Sequence, residues 1–311
     1  MGAPMALRLL DAGHDVGVFD PEPEAVARLR ERGAWGADDP ASAAASAEVT
    51  ITCLPTPAIV ETAVLGERGV FAGARPGAMF IDMSTSLPSL ARKLAHEGSK
   101  RDLAVLDAPV SGGPGGADQG TLAIMVGGDA AAFQRAEPLF AALGAVIRHM
   151  GGPGAGQATK LTNNVLAGVH MAALAEAVAL ARSEGLDLAR VYEIVSNGTG
   201  DSRVLRNRYP VPGVLAHAPA SHDWAALFPV DLLAKDVDLA LRTASEHGLT
   251  MPIVERSLER YRLAQEANLG ALDYSAVARL FDDADADDAD DGGPGSGGPG
   301  KSAQDRHAPR G

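Results

Sequence analysis

The feature that most restricts the fold of this chain is one long apolar stretch, residues 154–182, which reads GAGQATKLTNNVLAGVHMAALAEAVALAR. Glycines lead into it, and about five turns of Leu, Val, Ala and Met then follow at helical spacing. This pattern predicts a single long helix that is largely buried, so the rest of the chain must be organised around it. Three polar residues stand near its start: Lys160, Asn163 and Asn164.

These polar residues are predicted to form a cluster. Lys160 and Asn164 are four residues apart and share one helix face, with Asn163 beside them. The helix macrodipole disfavours a protonated amine near the N-terminus, and a ligand would desolvate it further, so the pKa of Lys160 should be lowered. A lowered pKa suits a proton-transfer group. On this stretch alone, a solvated lysine and a capping asparagine are the better explanation.

The N-terminal half alternates between β-rich runs and helical segments. Predicted strands cover residues 16–19, 49–54, 78–82 and 105–108, and predicted helices cover 4–12, 24–32 and 87–97. Strands separated by helices of about ten residues indicate βαβ units and a parallel sheet with right-handed crossovers. The sequence therefore predicts a doubly wound α/β domain of the Rossmann type.

Several residues at the ends of these strands are candidates for ligand binding. In open α/β sheets, ligands bind outside the carboxyl ends of the strands, where Leu54, Pro55 and Thr85 are placed. Asp20 follows the strand at 16–19, where a carboxylate can hold ribose hydroxyls and repel a 2′-phosphate. An aspartate before a proline is also typical of a turn, and the sequence leaves both interpretations of Asp20 open.

A glycine-rich loop, DAPVSGGPGG at residues 107–116, follows the strand at 105–108. Ser111, Gly112 and Gly113 can turn successive backbone N–H groups towards one anion, and glycines let a carboxylate approach the backbone. The alternative is a flexible connection into the next β-rich run. Because the loop follows a sheet strand, anion binding is the preferred interpretation.

The C-terminal half is predicted to be helical, with helices at residues 188–196, 230–247, 252–267 and 275–281. An all-helical second domain follows from this pattern. We expect three parts: a cofactor-binding domain at 1–152, a helical substrate and dimerisation domain at 153–281, and a disordered tail at 282–311. The tail is rich in Asp, Gly and Pro and lacks the apolar residues needed to offset the entropy of ordering.

The apolar flank of the long helix carries small residues, namely Val165, Val169, Ala172 and Ala173. Small side chains permit close packing against a partner subunit, although packing within the domain is the better explanation for any one of them. We expect a homodimer or homotetramer.

Charge and composition exclude several partners. The formal net charge of −13 argues against nucleic acid, which calls for a basic face. No uninterrupted apolar run reaches the length of a membrane span, because His170 and Glu176 interrupt the best candidate. The single cysteine, Cys53, fits a reducing cytoplasm. His and Asp residues show no metal-ligand spacing, so we expect no metal site.

With these motifs assembled, the chain resembles the β-hydroxyacid dehydrogenases, a family that includes 3-hydroxyisobutyrate dehydrogenase and tartronate semialdehyde reductase. The resemblance covers residues 1–281. Four motifs carry it: MGAPMALRLLDAGHDVGVFD, DAPVSGGPGGADQGTLAIMVGGD, GAGQATKLTNN, and Phe228 followed by LLAKDVDLA.

The resemblance implies a function and a role for each matched residue. The implied activity is hydride transfer between a small 3-hydroxy carboxylate and NAD, with NADP also possible. The implied roles are these: Lys160 as the catalytic acid or base, Asn164 as a substrate-orienting amide, Ser111, Gly112 and Gly113 as the carboxylate cradle, Lys235 near the nicotinamide, Gly2, Leu54, Pro55 and Thr85 as cofactor contacts, and Asp20 as the residue that favours NAD.

The chain departs from the family pattern at its start. Met1 and Gly2 align with only the last part of G-x-G-x-x-G, so the first strand and the first two glycines are missing, and we expect the true start to lie upstream. This departure favours an alternative function, a catalytically impaired dinucleotide-binding or sensing protein. Related 6-phosphogluconate dehydrogenases are longer and carry His-Asn in place of Asn163 and Asn164, which sets aside a phosphorylated sugar acid.

Overall fold

A computed structural model describes residues 1–281 of the chain. The predicted tail at 282–311 lies outside the described residues. The described part contains a sheet with helices on both faces, followed by an all-helical part. The predicted fold class, a Rossmann-type α/β domain followed by a helical domain, is therefore confirmed.

Most strands belong to one sheet with the order β3-β4-β5-β7-β6, and β8 pairs with β7. The strands are β1 Gly17–Val18, β2 Trp35–Gly36, β3 Val49–Thr52, β4 Met79–Asp82, β5 Ala104–Asp107, β6 Val110–Ser111, β7 Leu122–Gly128 and β8 Gly144–Gly151. β3, β4 and β5 are parallel, as predicted. β7 runs antiparallel to β5 and β6, because the glycine-rich loop reverses the chain direction before β7. The sheet is therefore mixed.

The first two strands stand apart from this sheet. Within residues 1–281, β1 pairs in parallel with β2 only, and β3 pairs with β4 only. β3 is therefore an edge strand of the main sheet.

In the described part of the chain, eight helices flank the strands: α1 Gly2–Asp11, α2 Pro23–Arg30, α3 Pro40–Ala45, α4 Pro57–Leu65, α5 Val70–Gly73, α6 Pro88–Ser99, α7 Gly113–Gln119 and α8 Ala130–Leu143. The sequence predicted α1, α2 and α6 but not α3, α4, α5, α7 or α8. A local signal for α3 and α4 was present, because Asp39 and Thr56 each cap a helix that has proline at its first position.

Two hydrophobic layers cover the faces of the sheet. One joins α1 and α8 to the sheet through Met5, Ile81 and Phe140. The other packs α3 to α6 against the opposite face around Val64 and Phe80. Burial of apolar area on both faces is the main favourable contribution to such a layered fold.

The C-terminal part is built around α9 Ala155–Ser183, a helix of 29 residues. The other helices are α10 Leu188–Val195, α11 Arg203–Arg208, α12 Val230–Glu246 and α13 Pro252–Glu266, with 3₁₀ turns at Pro219–Ser221 and Tyr274–Phe281. Met171 and Ala175 of α9 share a buried cluster with Leu233 of α12 and Tyr261 of α13. Tyr261 Oη also donates a hydrogen bond of 2.8 Å to Gly168 O.

By length and composition, α9 could cross a membrane, since its most apolar 18-residue window has a mean hydropathy of 1.5. The same properties belong to the core helix of a globular domain. Here α9 packs against β7, α12 and α13, and the polar side chains of Gln157, Lys160 and Asn164 are buried in its first turns. These contacts assign α9 to the protein core.

The first turn of α9 lies directly against the sheet. A Cβ atom added at Gly156 would overlap Met125 O of β7 and lie 2.5 Å from Asp107 O of β5. Only glycine allows this approach, so the sheet and the long helix meet at one tightly packed point.

Candidate active site

The carboxyl ends of three neighbouring strands carry a row of polar side chains. Thr52 of β3 is in register with Asp82 of β4, and Asp82 is in register with Asp107 of β5. All three side chains are buried. The row lies at the edge of the sheet where ligands bind in doubly wound folds.

Asp82 is held inside this edge by hydrogen bonds from its neighbours. Its Oδ1 accepts a bond of 2.9 Å from Thr52 Oγ1 and one of 3.0 Å from Ser84 N. Burial, with a smaller contribution from the adjacent Asp107 carboxylate, nevertheless raises the pKa of Asp82 to about 6. The group therefore changes charge close to neutral pH.

Asp107 caps the first turn of α9. Its Oδ1 accepts a hydrogen bond of 2.7 Å from Gly154 N, and its Oδ2 accepts one of 2.8 Å from Gln157 N. Burial raises the pKa of Asp107, while these backbone donors act in the opposite direction. The carboxylate satisfies two N–H groups that a helix N-terminus leaves without intrahelical partners.

The side chain of Gln157 turns back to the loop after β4. Its Nε2 donates to Ser84 O at 2.8 Å, and its Oε1 accepts from Ser86 N at 2.8 Å. Gln157 is completely buried. α9 is thus bonded to the backbone on either side of Thr85.

One turn further along α9, the predicted polar cluster is present. Lys160 and Asn164 are buried, at 7% and 3% exposure, whereas Asn163 is exposed. Asn163 Nδ2 donates to Asn164 Oδ1 at 2.9 Å, and Asn164 Nδ2 donates to Asp236 Oδ2 of α12 at 2.6 Å. The second oxygen, Asp236 Oδ1, lies 3.0 Å from Lys235 Nζ.

The electrostatic setting of Lys160 suits proton transfer. Desolvation by burial lowers the pKa of Lys160, Asp236 opposes this shift, and the positive charge of Lys235 adds to it. The predicted direction of the shift agrees, but burial is its main cause. Within residues 1–281, the Lys160 amine has no hydrogen-bond or ion-pair partner, so it is available to a ligand.

The predicted cofactor contacts lie beside this cluster. Lys235 Nζ donates a hydrogen bond of 2.8 Å to Pro55 O, and Leu54 N donates one of 2.9 Å to Ser84 Oγ. Thr85 is half-buried in the loop that Gln157 binds. Gly2 begins α1 next to Cys53, whose Cβ would lie 3.9 Å from a Cβ added at Gly2. These residues converge on one edge of the sheet.

The predicted carboxylate cradle forms the turn into α7. Gly112 has a φ of +138° and Gly113 a φ of +65°, conformations that favour glycine. Ser111 ends β6 and is half-buried. A Cβ added at Gly113 would lie 3.8 Å from Leu227 O, so the cradle faces the loop before α12.

The loop before α12, which faces the cradle, is held in place by the buried carboxylate of Asp273. Asp273 Oδ2 accepts hydrogen bonds of 3.2 Å from Leu227 N and 3.1 Å from Phe228 N. The Arg208 guanidinium lies 3.2 Å from Asp273 Oδ1 and neutralises the charge. The wall opposite the cradle is therefore held in place by tertiary contacts.

Asp20 lies in the turn after β1, outside the main sheet. It is exposed after β1, in the small two-stranded sheet, and its Oδ1 accepts a hydrogen bond of 2.9 Å from Glu22 N. This is the turn interaction that the sequence left open. The hydrogen bond occupies only one oxygen of the Asp20 carboxylate, so it neither supports nor excludes ribose binding by this residue.

Sequence reasoning did not single out three residues that organise the site: Asp107, Gln157 and Asp236. The pairing of Lys235 with Asp236 in one motif was a signal for the last. Asp107 and Gln157 were visible only as members of longer motifs, because their partners are 47 to 73 residues away in the chain.

Both halves of the chain match known protein families. Residues 1–152 match the NAD binding domain of 6-phosphogluconate dehydrogenase, and residues 154–281 match a family described as NAD-binding of NADP-dependent 3-hydroxyisobutyrate dehydrogenase. The chain is 43% identical to 3-hydroxyisobutyrate dehydrogenase of Pseudomonas aeruginosa over 90% of this chain and 95% of that protein. It is 42% identical to NAD-dependent L-serine dehydrogenase of the same organism, over 91% and 95%.

The chain also resembles a solved structure in its fold. The chain is similar to Mycobacterium tuberculosis 3-hydroxyisobutyrate dehydrogenase with L-serine, with a TM-score of 0.85 and 37% identity over 90% of this chain and 95% of that one.

Asp82→Asn tests the electrostatics of the sheet edge. Because the pKa of Asp82 is about 6 in the folded protein and 3.8 is its usual value, the folded state binds the proton more tightly. The stability contributed by this proton is present at acid pH and is lost as pH rises from about 4 to about 6, a change on the order of 1 to 3 kcal/mol. The amide cannot ionise and keeps an oxygen acceptor for Thr52 and Ser84, so the variant should lack this loss.

Urea denaturation across this pH range measures the effect, with exposed Asp118→Asn as the control. The same slope of stability against pH in wild type and Asp82→Asn would contradict the assignment.

Proposed function

Since this chain belongs to the β-hydroxyacid dehydrogenase family, we propose that it oxidises a small 3-hydroxy carboxylate, such as 3-hydroxyisobutyrate or serine, with Lys160 as the general base. The resemblance seen in the sequence is confirmed by the family matches and by relatives up to 43% identical. The chain is an NAD(P)-dependent hydroxyacid dehydrogenase. The observation that carries the proposal for Lys160 is its buried side chain, whose amine has no hydrogen-bond or ion-pair partner within residues 1–281 and which lies one turn from Asn164.

The residues at the sheet edge fit a nicotinamide dinucleotide. Leu54, Pro55 and Thr85 stand outside the carboxyl ends of β3 and β4, and Lys235 reaches the same edge from α12. We propose that these residues and Gly2 bind the cofactor. When bound there, the oxidised cofactor supplies the hydride acceptor.

Lys160 completes the reaction by taking the hydroxyl proton. As the substrate carbon loses hydride, its hydroxyl becomes acidic and a neutral amine accepts the proton. The ammonium group that forms stabilises the negative charge that develops on the oxygen in the transition state, and the product carbonyl is neutral. Burial lowers the pKa of Lys160 and so favours the neutral form that this step needs. In the reverse reaction the ammonium returns the proton.

The remaining residues orient the substrate. Asp236 accepts from Asn164 Nδ2, which fixes the asparagine amide beside Lys160. Ser111, Gly112 and Gly113 offer backbone N–H groups and a hydroxyl to the substrate carboxylate. We propose that Asn164 binds the substrate hydroxyl and that the glycine loop binds its carboxylate.

The polar residues of the proposed site argue against the alternative of a catalytically impaired binding or sensing protein, although the start of the chain departs from the family pattern. Asn164 and Lys235 both contact Asp236, and Lys160 lies one turn of α9 from Asn164, so the polar side chains that the reaction needs are present together. We further propose that residues 1–152 act as the cofactor domain and residues 153–281 as the substrate domain. We also propose that the reaction takes place in the cytoplasm, which cell fractionation would check.

An apolar stripe on α9 supports a homo-oligomer. Leu166, Ala173, Ala177 and Leu180 are exposed at helical spacing, and the exposed fractions of the two leucines are 53% and 66%. A groove of about 690 Å³ between α9 and α13 continues this surface. We propose that a second copy of the chain covers this stripe in a homodimer or homotetramer, because exposed apolar side chains aligned on one helix face are typical of an interface.

Lys160→Met should lower kcat by about 100-fold or more, the usual scale for a lost general acid or base, because methionine keeps the length of the side chain but cannot accept a proton. The dissociation constant for NADH should change little. Steady-state kinetics with NAD and a panel of 3-hydroxy carboxylates measures the effect. The matched control is Lys100→Met, which removes an exposed lysine. Near-normal turnover by Lys160→Met would contradict the assignment of Lys160.

Asp20 should make the enzyme prefer NAD to NADP, since its carboxylate repels a 2′-phosphate. Asp20→Ser should reduce this preference, measured as the ratio of kcat/KM values for the two cofactors, while Asp15→Ser, an exposed neighbour, should not. A wild-type preference for NADP would refute the role of Asp20.

Leu180→Lys should weaken subunit association, because it places a charge in the apolar stripe. Sedimentation velocity of the wild type should show a multiple of the 31.9 kDa chain, and the variant should shift towards the monomer. Ile59→Lys on α4, where 45% of the residue is exposed, is the control. A monomeric wild type would rule out the proposed interface.

A further inference from the structure

We propose that Gln157 is a positioning residue that clamps the Ser84–Ser86 loop to α9 and so sets the placement of Thr85 relative to Lys160. The inference rests on the proposed function, in which Thr85 contacts the cofactor and Lys160 moves the proton. Gln157 is completely buried, so it acts on the reaction through the placement of Thr85 and Lys160.

The first observation is the geometry of the Gln157 amide. Its Nε2 donates to Ser84 O and its Oε1 accepts from Ser86 N, both at 2.8 Å. The amide therefore pairs with the backbone on both sides of Thr85, as a neighbouring strand would. Thr85 remains half-buried while Ser84 and Ser86 are buried. The clamp thus holds the backbone of the loop and leaves Thr85 partly exposed.

The second observation is that Gln157 is itself fixed at its backbone. Asp107 Oδ2 accepts from Gln157 N at 2.8 Å, while Asp107 Oδ1 accepts from Gly154 N at 2.7 Å. Asp107 ends β5, the strand next to β4. The start of α9, the end of β5 and the loop after β4 are consequently joined through one side chain and one carboxylate.

The third observation concerns the residues on either side of the clamp. Gln157 and Lys160 are three residues apart and occupy neighbouring positions on α9. On the other side, Ser84 Oγ accepts from Leu54 N at 2.9 Å, which connects the clamped loop to Leu54 and Pro55. A shift of the loop relative to α9 would therefore change the spacing between the proposed cofactor contacts and the lysine. A misplacement of about 1 Å can lower turnover by about 100-fold.

A glutamine that only fills the core would give a different result on removal. Gln157→Leu keeps a similar volume but leaves Ser84 O and Ser86 N without their partners. If the clamp positions the loop, the change should loosen residues 84–86 in the free protein and lower turnover in the loaded enzyme. If Gln157 only fills space, the loop and turnover should be unaffected beyond a general loss of stability.

Amide hydrogen exchange without cofactor is the first test. The Ser86 amide should exchange at least about tenfold faster in Gln157→Leu than in wild type, because its buried acceptor is lost, while amides in α13 keep their wild-type rates. Gln134→Leu, which removes an exposed glutamine of α8, should change neither. Equal Ser86 exchange in wild type and Gln157→Leu would overturn the proposal.

Gln157→Glu supplies a second test that does not depend on the folding of Gln157→Leu. The carboxylate keeps an acceptor for Ser86 N but loses the donor to Ser84 O and repels Asp107. The protonated acid is nearly isosteric with the amide and restores the donor. The ratio of variant to wild-type kcat should therefore rise at least about fivefold as pH falls from about 8 to about 6, since burial raises the pKa of the introduced acid.

Charged groups common to both proteins lie near residue 157 or couple to its neighbours. Asp107 bonds its backbone and lies in register with Asp82, Arg92 of α6 lies beside Gly154, and Lys160 interacts electrostatically with Lys235 and Asp236 of α12. Taking the ratio of the two proteins at each pH removes the titration of every group whose pKa is unchanged by the substitution. A ratio that stays constant or falls with decreasing pH would overturn the clamp.

The two tests separate this inference from the proposed function. A wild type without hydroxyacid dehydrogenase activity would refute the proposed function, whereas the exchange of Ser86 is measured without substrate. An active wild type whose Gln157→Leu variant keeps both normal exchange and normal turnover would refute the clamp alone.

Discussion

The capping of α9 by Asp107 is the interaction on which the site depends. A carboxylate at the end of β5 accepts hydrogen bonds from Gly154 N and Gln157 N, so the long helix begins at a defined point on the sheet. Gly156 makes this approach possible because a side chain there would collide with Met125 O and Asp107 O. Every residue further along α9 inherits its position from this junction, including Lys160 and Asn164.

The electrostatics of the site follow from burial at the same junction. Removing Lys160 from water favours its neutral form, whereas removing Asp82 and Asp107 from water favours their protonated forms. Hydrogen bonds oppose the shifts of both carboxyl groups. One region of the protein thus holds both a base with a lowered pKa and acids with raised pKa values, a pattern that is common at functional sites.

The two halves of the chain contribute different parts of the site. The sheet supplies Leu54, Pro55 and Thr85 at strand ends, and the helices supply Lys160, Asn164 and Lys235. Contacts across the junction keep these sets together, notably Lys235 Nζ with Pro55 O and a small apolar cluster that joins Leu87 to Leu161. The chemistry proposed here requires both sets, so neither half could perform it alone.

The sequence by itself determined the fold class and the long helix. It also identified Lys160 and Asn164 as polar residues on one face of that helix. Each of these inferences depends on local spacing or on a short motif. The sequence did not determine the antiparallel β7 or the partners of Asp107 and Gln157, since these arise from residues far apart in the chain. It also gave the direction of the Lys160 pKa shift while attributing part of it to the helix dipole. Only the tertiary structure identified burial as the main cause, because desolvation depends on everything packed around the amine.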